Sequence, residues 1–301
     1  MISTKPAVAL YIAGLILRHE QEEIEMSKVA NLQKESMVML KETSRTFFIP
    51  INFLEPTLKK TVASAYLCMR AIDEIEDHPE LEDAAKQKLL LEISRMLQTT
   101  FDRTAYEALI KPYLHLLPPV TQRLADWISV CPAEIVGKVK ESTSEMAGGM
   151  AKWVEKKFSI ETREDLDDYT YYVAGLVGTM LSDIWKWYDN TETDPDLAIG
   201  FGRGLQAVNM LRNFDEDLER GVSFVPKGWN RDDMFQYANE HLAQADLYVK
   251  PIRNKRILMF CKVPLALAHS TLKALKSGKE KMTRKEVEGI VEQLKEQEQI
   301  N

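Results

Sequence analysis

An all-α fold is predicted from three features of this 301-residue chain. Glycine and proline are sparse, at 13 and 12 residues, and the long segments between them repeat their apolar residues with the 3.6-residue period of a helix. No run alternates with a period of two for long enough to demand a sheet. No Pro/Gly/Ser linker and no internal repeat divides the chain, so a single domain is expected.

Taken in order, the first apolar segment is AVALYIAGLIL (7–17), which follows Lys5 and precedes the acidic run EQEEIEM. It is shorter than the ~20 residues a bilayer span needs, and no small-residue cleavage site precedes the acidic run. Residues 1–30 therefore read as an apolar and acidic extension with an interfacial or packing helix. Thr43, Ser44 and Pro50 punctuate the chain before LKKTVASAYLCMRAIDEIED (58–77), a helix that sets Val62, Ala65, Tyr66, Met69 and Ile72 on one face. Further helices are predicted over 81–99, 119–129, 133–156, 164–189, 196–219, 231–248, 256–276 and 284–298. Within the 164–189 helix, VAGLVG (173–178) carries Gly175 and Gly178, which cost helix stability and permit close approach or a bend. TETDPDL (191–197) reads as a loop, and GVSFVPKGW (221–229) as a Gly/Pro-bounded connection. Residues 286–301 form a charged tail whose last turns are expected to fray.

Composition narrows the function. With 45% hydrophobic and 28% charged residues the chain can bury a large core. A formal net charge of -7 excludes sequence-independent nucleic-acid binding, which needs many cations to displace counterions. An anionic ligand would need locally placed cations or metal ions. Cys68, Cys131 and Cys261 are widely spaced and form no CxxC pair, which implies neither a zinc site nor a disulfide framework and suits a reducing, cytoplasmic location.

RAIDEIEDH (70–78) lies on an otherwise apolar helix. Asp73, Glu76 and Asp77 are three and four residues apart, so their carboxylates share a face. Taken alone, such a cluster is often an exposed helix end whose acids face water. A second cluster changes that balance: Asn213, Glu216 and Asp217 repeat the spacing, again after an arginine, Arg212, at the end of an apolar helix. Two helices of one bundle can bring such faces together across a cavity. Oxygen ligands from two sides, with room for water and phosphate oxygens, are what Mg²⁺ takes when it clamps a diphosphate. GFGRGLQA (200–207) imitates a dinucleotide fingerprint but lacks the preceding strand and the GxGxxG spacing, so it is not read as one.

TSRTF (43–47), YLCMRAIDEIED (66–77), YTYYVAGLVGTML (169–181) and LQAVNMLRNFDEDLERGVSFVPKGW (205–229) resemble the successive motifs of the squalene and phytoene synthases, the head-to-head prenyltransferases. FCKVP (260–264) is similar to a later segment of the squalene synthases in particular. The resemblance implies an isoprenoid-synthase helical bundle around a central cavity, with residues 31–285 as the catalytic domain. It implies Mg²⁺-dependent condensation of two farnesyl diphosphates to presqualene diphosphate and NADPH-dependent reduction of that to squalene.

Residue by residue, the resemblance places Asp73, Glu76 and Asp77 on Mg²⁺ at one wall, with Glu216, Asp217 and Asn213 at the other. It gives Ser44, Arg45 and Arg70 to diphosphate, Arg45, Arg70 and Arg212 to cofactor phosphate, and Gln206 and Asn209 to the substrate pocket. Tyr169 matches a tyrosine that removes a proton or steadies the first carbocation, acting with Asp73 and Asp77. Arg284, in KMTRK (281–285), is the candidate for NADPH near the C-terminal end. Plainer alternatives stand beside these: Arg45 and Arg70 pairing with local acids, Tyr169 packing with Tyr171 and Tyr172, and KMTRK as a solvated charge run.

Two departures from the family pattern fall on the second diphosphate site. Asn213 stands where the family has aspartate, and an amide oxygen brings no negative charge. Asp215 does not obviously compensate, because two helical residues turn its side chain ~200° away. Val222 stands where the family has arginine, with Arg220 nearby. An enzyme that stops at presqualene diphosphate, dehydrosqualene or farnesol therefore remains an alternative, as does a non-catalytic prenyl-diphosphate-binding relative. Substrate and product are apolar enough for peripheral membrane contact, which the N-terminal helix could provide.

Overall fold

The computed structural model describes residues 27–44, 47–219, 224–279 and 282–300. The apolar segment 7–17, Arg45, Arg220 and Val222 lie outside them, as does the side chain of Asp217. The described residues contain helices and no strand, as the apolar periodicity predicts.

In chain order the α-helices are α1 (27–43), α2 (Phe48–Asn52), α3 (Pro56–Glu76), α4 (Asp83–Leu97), α5 (Arg103–Ile110), α6 (Pro119–Gln122), α7 (Leu124–Val130), α8 (Val136–Glu155), α9 (Arg163–Thr170), α10 (Leu176–Asp189), α11 (Pro195–Glu219), α12 (Arg231–Tyr248), α13 (Lys255–Lys276) and α14 (Arg284–Glu298). A π-helical segment, Tyr171–Gly175, joins α9 to α10.

Local chemistry explains most boundaries. Thr162 with Asp165, Asn230 with Asp233 and Thr283 with Glu286 form capping boxes that start α9, α12 and α14. Asp194 accepts from the Asp196 and Leu197 amides at 2.9 and 3.1 Å. That cap, with Pro195 at the first helical position, starts α11 inside the segment expected to be loop. Asn190, at φ 59°, closes α10 in the left-handed conformation that asparagine tolerates. The expected 119–129 helix is two helices, broken at Arg123 (φ −105°, ψ 21°).

Among the described residues two large apolar clusters dominate the core, with a small third one between α13 and α14. One spans α3, α4, α8 and α10; the other joins α9, α11 and α12, and α13 contributes to both. The glycines of GFGRG have a packing role here: a Cβ on Gly202 would lie 2.2 Å from the Ala174 carbonyl oxygen, and one on Gly200 2.0 Å from Gln244 Oε1. They let α11 nest between the π segment and α12.

The expected frayed tail is an ordered helix. In α14, Val291 is buried against Met259 and Val263 of α13, and Glu298 pairs with Lys262. Among the described residues α13 is the helix long and apolar enough to cross a membrane, yet half of its most apolar window is buried within the protein. Its apolar face serves the core.

Candidate functional site

A cavity of about 760 Å³ runs between the two core clusters, lined by α3, the π segment, α10, α11 and α13. That volume falls in the ~300–1,000 Å³ range of small-molecule sites. Its wall grades from charged to apolar. Arg70, Asp73, Glu76 and Asp77 meet Asn209, Arg212 and Asn213 at one end, while Trp185, Phe201, Tyr248 and Phe260 line the rest. A second, open groove of about 710 Å³ lies by α4 and α8; its Lys140 and Lys152 are already engaged by the Thr99 carbonyl and Asp168.

The last turns of α3 build the acidic wall. Carboxylate oxygens of Asp73, Glu76 and Asp77 lie within 4.8 Å of one another, as their helical spacing predicts. Glu76 is buried, at 4% exposure. Burial, and then the neighbouring Asp77, push the Asp73 carboxyl up to about 7. The same two causes, with Asp73 itself, hold Glu76 well above the ordinary carboxylate range. Three acids this close repel one another when ionised, so a divalent cation is the natural counter-charge. The donor set fits Mg²⁺.

Arg70 spans Asp73 and Glu74 with its two terminal nitrogens, while its Nε is buried without a hydrogen-bond partner. Local pairing of Arg70 is thus observed alongside its place in the cavity lining. One turn earlier, the Tyr66 hydroxyl donates to the Thr43 carbonyl at 3.0 Å. Ser44 is 3% exposed, and its Oγ, beside that phenol, makes no hydrogen bond of good geometry. Behind the acids, Lys86 donates to the Glu76 carbonyl at 2.6 Å. His78 Nδ1 accepts from the Glu80 and Leu81 amides at 3.2 Å, so its Nε2 is the donor to the Leu116 carbonyl at 3.0 Å. These bonds fix the end of α3.

The opposite wall comes from α11. Gln206, Asn209 and Asn213 line the cavity at successive turns, with Arg212 beside them; Arg212 Nε lies 3.5 Å from Asn213 Oδ1. Asp215 points elsewhere and pairs with Arg231 at 2.7 Å. Glu216, expected as a metal ligand, is exposed and is not part of the lining. Among the described residues, the group of three acids able to hold a metal is therefore Asp73, Glu76 and Asp77, and the facing wall presents amides and an arginine.

Tyr169 lines the cavity at 6% exposure. It stacks on Phe224 with ring centroids 5.5 Å apart and meets Trp153 edge-on at 5.4 Å. The aromatic cluster considered for it is present, with these partners instead of Tyr171 and Tyr172. Arg284 is not brought to the site: it sits in solvent on α14, paired with Glu288 at 2.8 Å.

Sequence reasoning set Tyr66 on the apolar face without a site role, and it missed Trp185 and Tyr248 in the cavity lining and Glu74 as the partner of Arg70. Glu74 shares the acidic run, so the i,i+4 spacing from Arg70 could have revealed it. Tyr248 joins the cavity through a tertiary contact that no local period records.

Fold and site together define a class: a helical protein whose cavity joins a metal-competent acidic rim, with Arg70 and Arg212 beside it, to an apolar and aromatic interior. A family model described as squalene/phytoene synthase matches residues 40–234, and the chain belongs to that family. It is 30% identical to the squalene synthase of Eremothecium gossypii over 81% of this chain and 62% of the relative. To that of Saccharomyces cerevisiae it is 30% identical over 80% and 61%. The chain thus spans about three fifths of the length of these curated relatives. Its fold matches a solved complex of TcSQS with the ligand BPH1237 at a TM-score of 0.72 and 23% identity, covering 87% of this chain and 86% of the other. A dehydrosqualene synthase complex matches at 0.61 and 18% identity, covering 90% and 98%.

Proposed function

We propose that this chain is a Mg²⁺-dependent prenyltransferase that condenses two farnesyl diphosphates head to head into presqualene diphosphate and, with NADPH, carries that product on to squalene. The observation that carries the reading is the cavity itself, with Asp73, Glu76 and Asp77 at one end and an aromatic interior at the other. In the first step one substrate loses diphosphate as its C–O bond breaks. Its allylic carbon bonds to the double bond of the second substrate, and loss of a proton closes the cyclopropane.

Asp73, Glu76 and Asp77 would hold Mg²⁺, which neutralises charge on the departing diphosphate. Arg70 and Arg212 supply fixed cations on either wall, with Ser44 and Arg45 proposed as further phosphate contacts. Gln206 and Asn209 offer amide groups to the substrate. Glu216, Asp217 and Asn213 are proposed for a second metal; of the two whose side chains are described, Asn213 lines the cavity and Glu216 is exposed. Tyr169 presents an aromatic face along the wall, suited to steady an allylic cation.

The residues fit NADPH less well. Of the arginines expected to meet it, Arg70 and Arg212 line the cavity and Arg284 stands away from it, so no hydride step is assigned to particular residues. That placement, with Asn213 in an aspartate position, favours a second reading in which the reaction stops at presqualene diphosphate. Peripheral membrane contact through residues 7–17 belongs to the same proposal.

Incubation with farnesyl diphosphate and Mg²⁺, with and without NADPH, followed by mass spectrometry separates these readings. Squalene only with NADPH is the expected result. Presqualene diphosphate with or without NADPH establishes the second reading, and recovery of unreacted substrate overturns both.

A further inference from the structure

The far end of the cavity holds a knot of polar atoms that the acidic rim does not use. Phe201 lies twelve residues before Asn213 on α11, ~18 Å deeper at the helical rise. There the ring of Tyr248 meets Phe201 edge-on, with centroids 5.5 Å apart, and both rings line the cavity. Tyr248 is 3% exposed. Its hydroxyl lies 2.9 Å from Ser182 Oγ, and Ser182 donates to the Gly178 carbonyl at 3.0 Å. The phenol is accordingly the donor to Ser182. The Trp185 indole N–H and the Thr193 hydroxyl are buried without a hydrogen bond of good geometry. Both lie against the same phenol, whose ionisation burial pushes up and these neighbours moderate.

Buried polar groups are costly beside a hydrocarbon unless they are hydrogen-bonded, and here Ser182, Thr193 and Trp185 converge on one phenol. What they hold is the ring. We propose that Tyr248, clamped by Ser182, is the stop that sets prenyl chain length, admitting a farnesyl chain and rejecting one longer by an isoprene unit. The inference rests on the prenyl-diphosphate reading above. A longer chain must displace the ring, which breaks the bond to Ser182, leaves a buried phenol unpaired and disturbs a close-packed floor. Trp185, which meets Phe260 edge-on at 5.3 Å, backs the same wall and leaves the ring no ready place to go.

The test compares farnesyl and geranylgeranyl diphosphates, in turnover and in Mg²⁺-dependent thermal stabilisation, for wild type, Tyr248→Ala, Tyr248→Phe and Ser182→Ala. A few methylenes are worth roughly tenfold or more in a fitted apolar site. Tyr248→Ala should therefore move the preference at least about tenfold toward the geranylgeranyl substrate. Tyr248→Phe and Ser182→Ala should move it the same way by less. A folded Tyr248→Ala protein whose preference stays within about twofold of wild type overturns the proposal. Should that variant not fold, an unchanged preference in both conservative variants overturns it equally. If wild type binds farnesyl diphosphate but couples nothing, the prenyltransferase reading fails while the stabilisation ratios still decide the role of Tyr248.

Discussion

Burial, and then the neighbouring Asp77, push the Asp73 carboxyl up to about 7 against the opposing pull of Arg70, and burial beside Asp77 and Asp73 raises Glu76 as well. The sign of the consequence follows from linkage. A carboxyl whose folded value exceeds its unfolded one binds protons better when folded. The metal-free fold therefore gains stability at low pH and loses it as pH rises from the ordinary carboxylate range through about 7. A cation that takes the ionised acids opposes that loss. The melting temperature should rise on adding Mg²⁺ more at pH 8 than at pH 5.5, and Asp73→Asn should remove most of the difference; equal shifts at both pH values would refute the metal assignment. Asp73→Ala should lower turnover by at least about a hundredfold, the scale of removing a fixed electrostatic group from a reacting site. Asn213→Asp adds a charge to the facing wall and should lower the Mg²⁺ concentration giving half-maximal rate several-fold. The three acids of α3 were legible in the sequence because helical spacing alone puts them on one face. The burial of Glu76 was not, since it depends on what packs behind α3, and neither was the exposure of Glu216.

At the scale of elements, the crossing of α10 and α11 shapes the cavity. A Cβ on Gly178 would lie 2.1 Å from the Ala198 carbonyl oxygen, so the two backbones touch where an ordinary side chain would hold them apart. The π segment just before α10 ends at Gly175 and, with Val177 and Gly178, forms one side of the cavity. A π turn inserted in a helix is commonly found at a functional site. Gly178→Ala must push the helices apart or strain them and should cost about 1–3 kcal/mol, read from chemical denaturation. Gly289, exposed inside α14, has nothing within 4 Å of its Cβ position, and Gly289→Ala should instead stabilise by ~0.5–1 kcal/mol. Equal effects at the two positions would contradict the close-approach account. VAGLVG announced a bend or close approach but not which, because the partner helix, α11, begins within TETDPDL, a segment that reads as loop. GFGRG was legible as something other than a nucleotide loop, and its packing role needed α12 in place.

For the molecule as a whole, α13 is the strut between the two cores. Phe260, Cys261 and Pro264 face the cavity, while Met259 and Val263 pack against Val291, with Leu294 alongside. Periodicity predicted both α13 and α14, yet the charge of the last segment argued for fraying. Val291 and Leu294, spaced three apart, were the apolar stripe that the charges obscured. The boundary expected at residue 285 thus falls at the start of a helix that braces the site from outside, and we propose that α14 belongs to the catalytic unit. Shortening the chain to residue 278 would uncover Met259 and Val263 and break the Lys262–Glu298 pair. Full exposure of two aliphatic side chains would cost about 3–6 kcal/mol as an upper figure, enough to lower the melting temperature by about 5–15 °C in a chain of this size. Because the opposite face of α13 lines the cavity, the shortened protein should also bind a non-reactive farnesyl diphosphate analogue more weakly in the presence of Mg²⁺. A full-length Glu298→Gln variant separates the causes. It keeps the apolar contact and should lose only about 1 kcal/mol, the scale of a partly exposed ion pair. If truncation leaves both melting temperature and analogue binding unchanged, α14 is an appendage and the site needs no support from it.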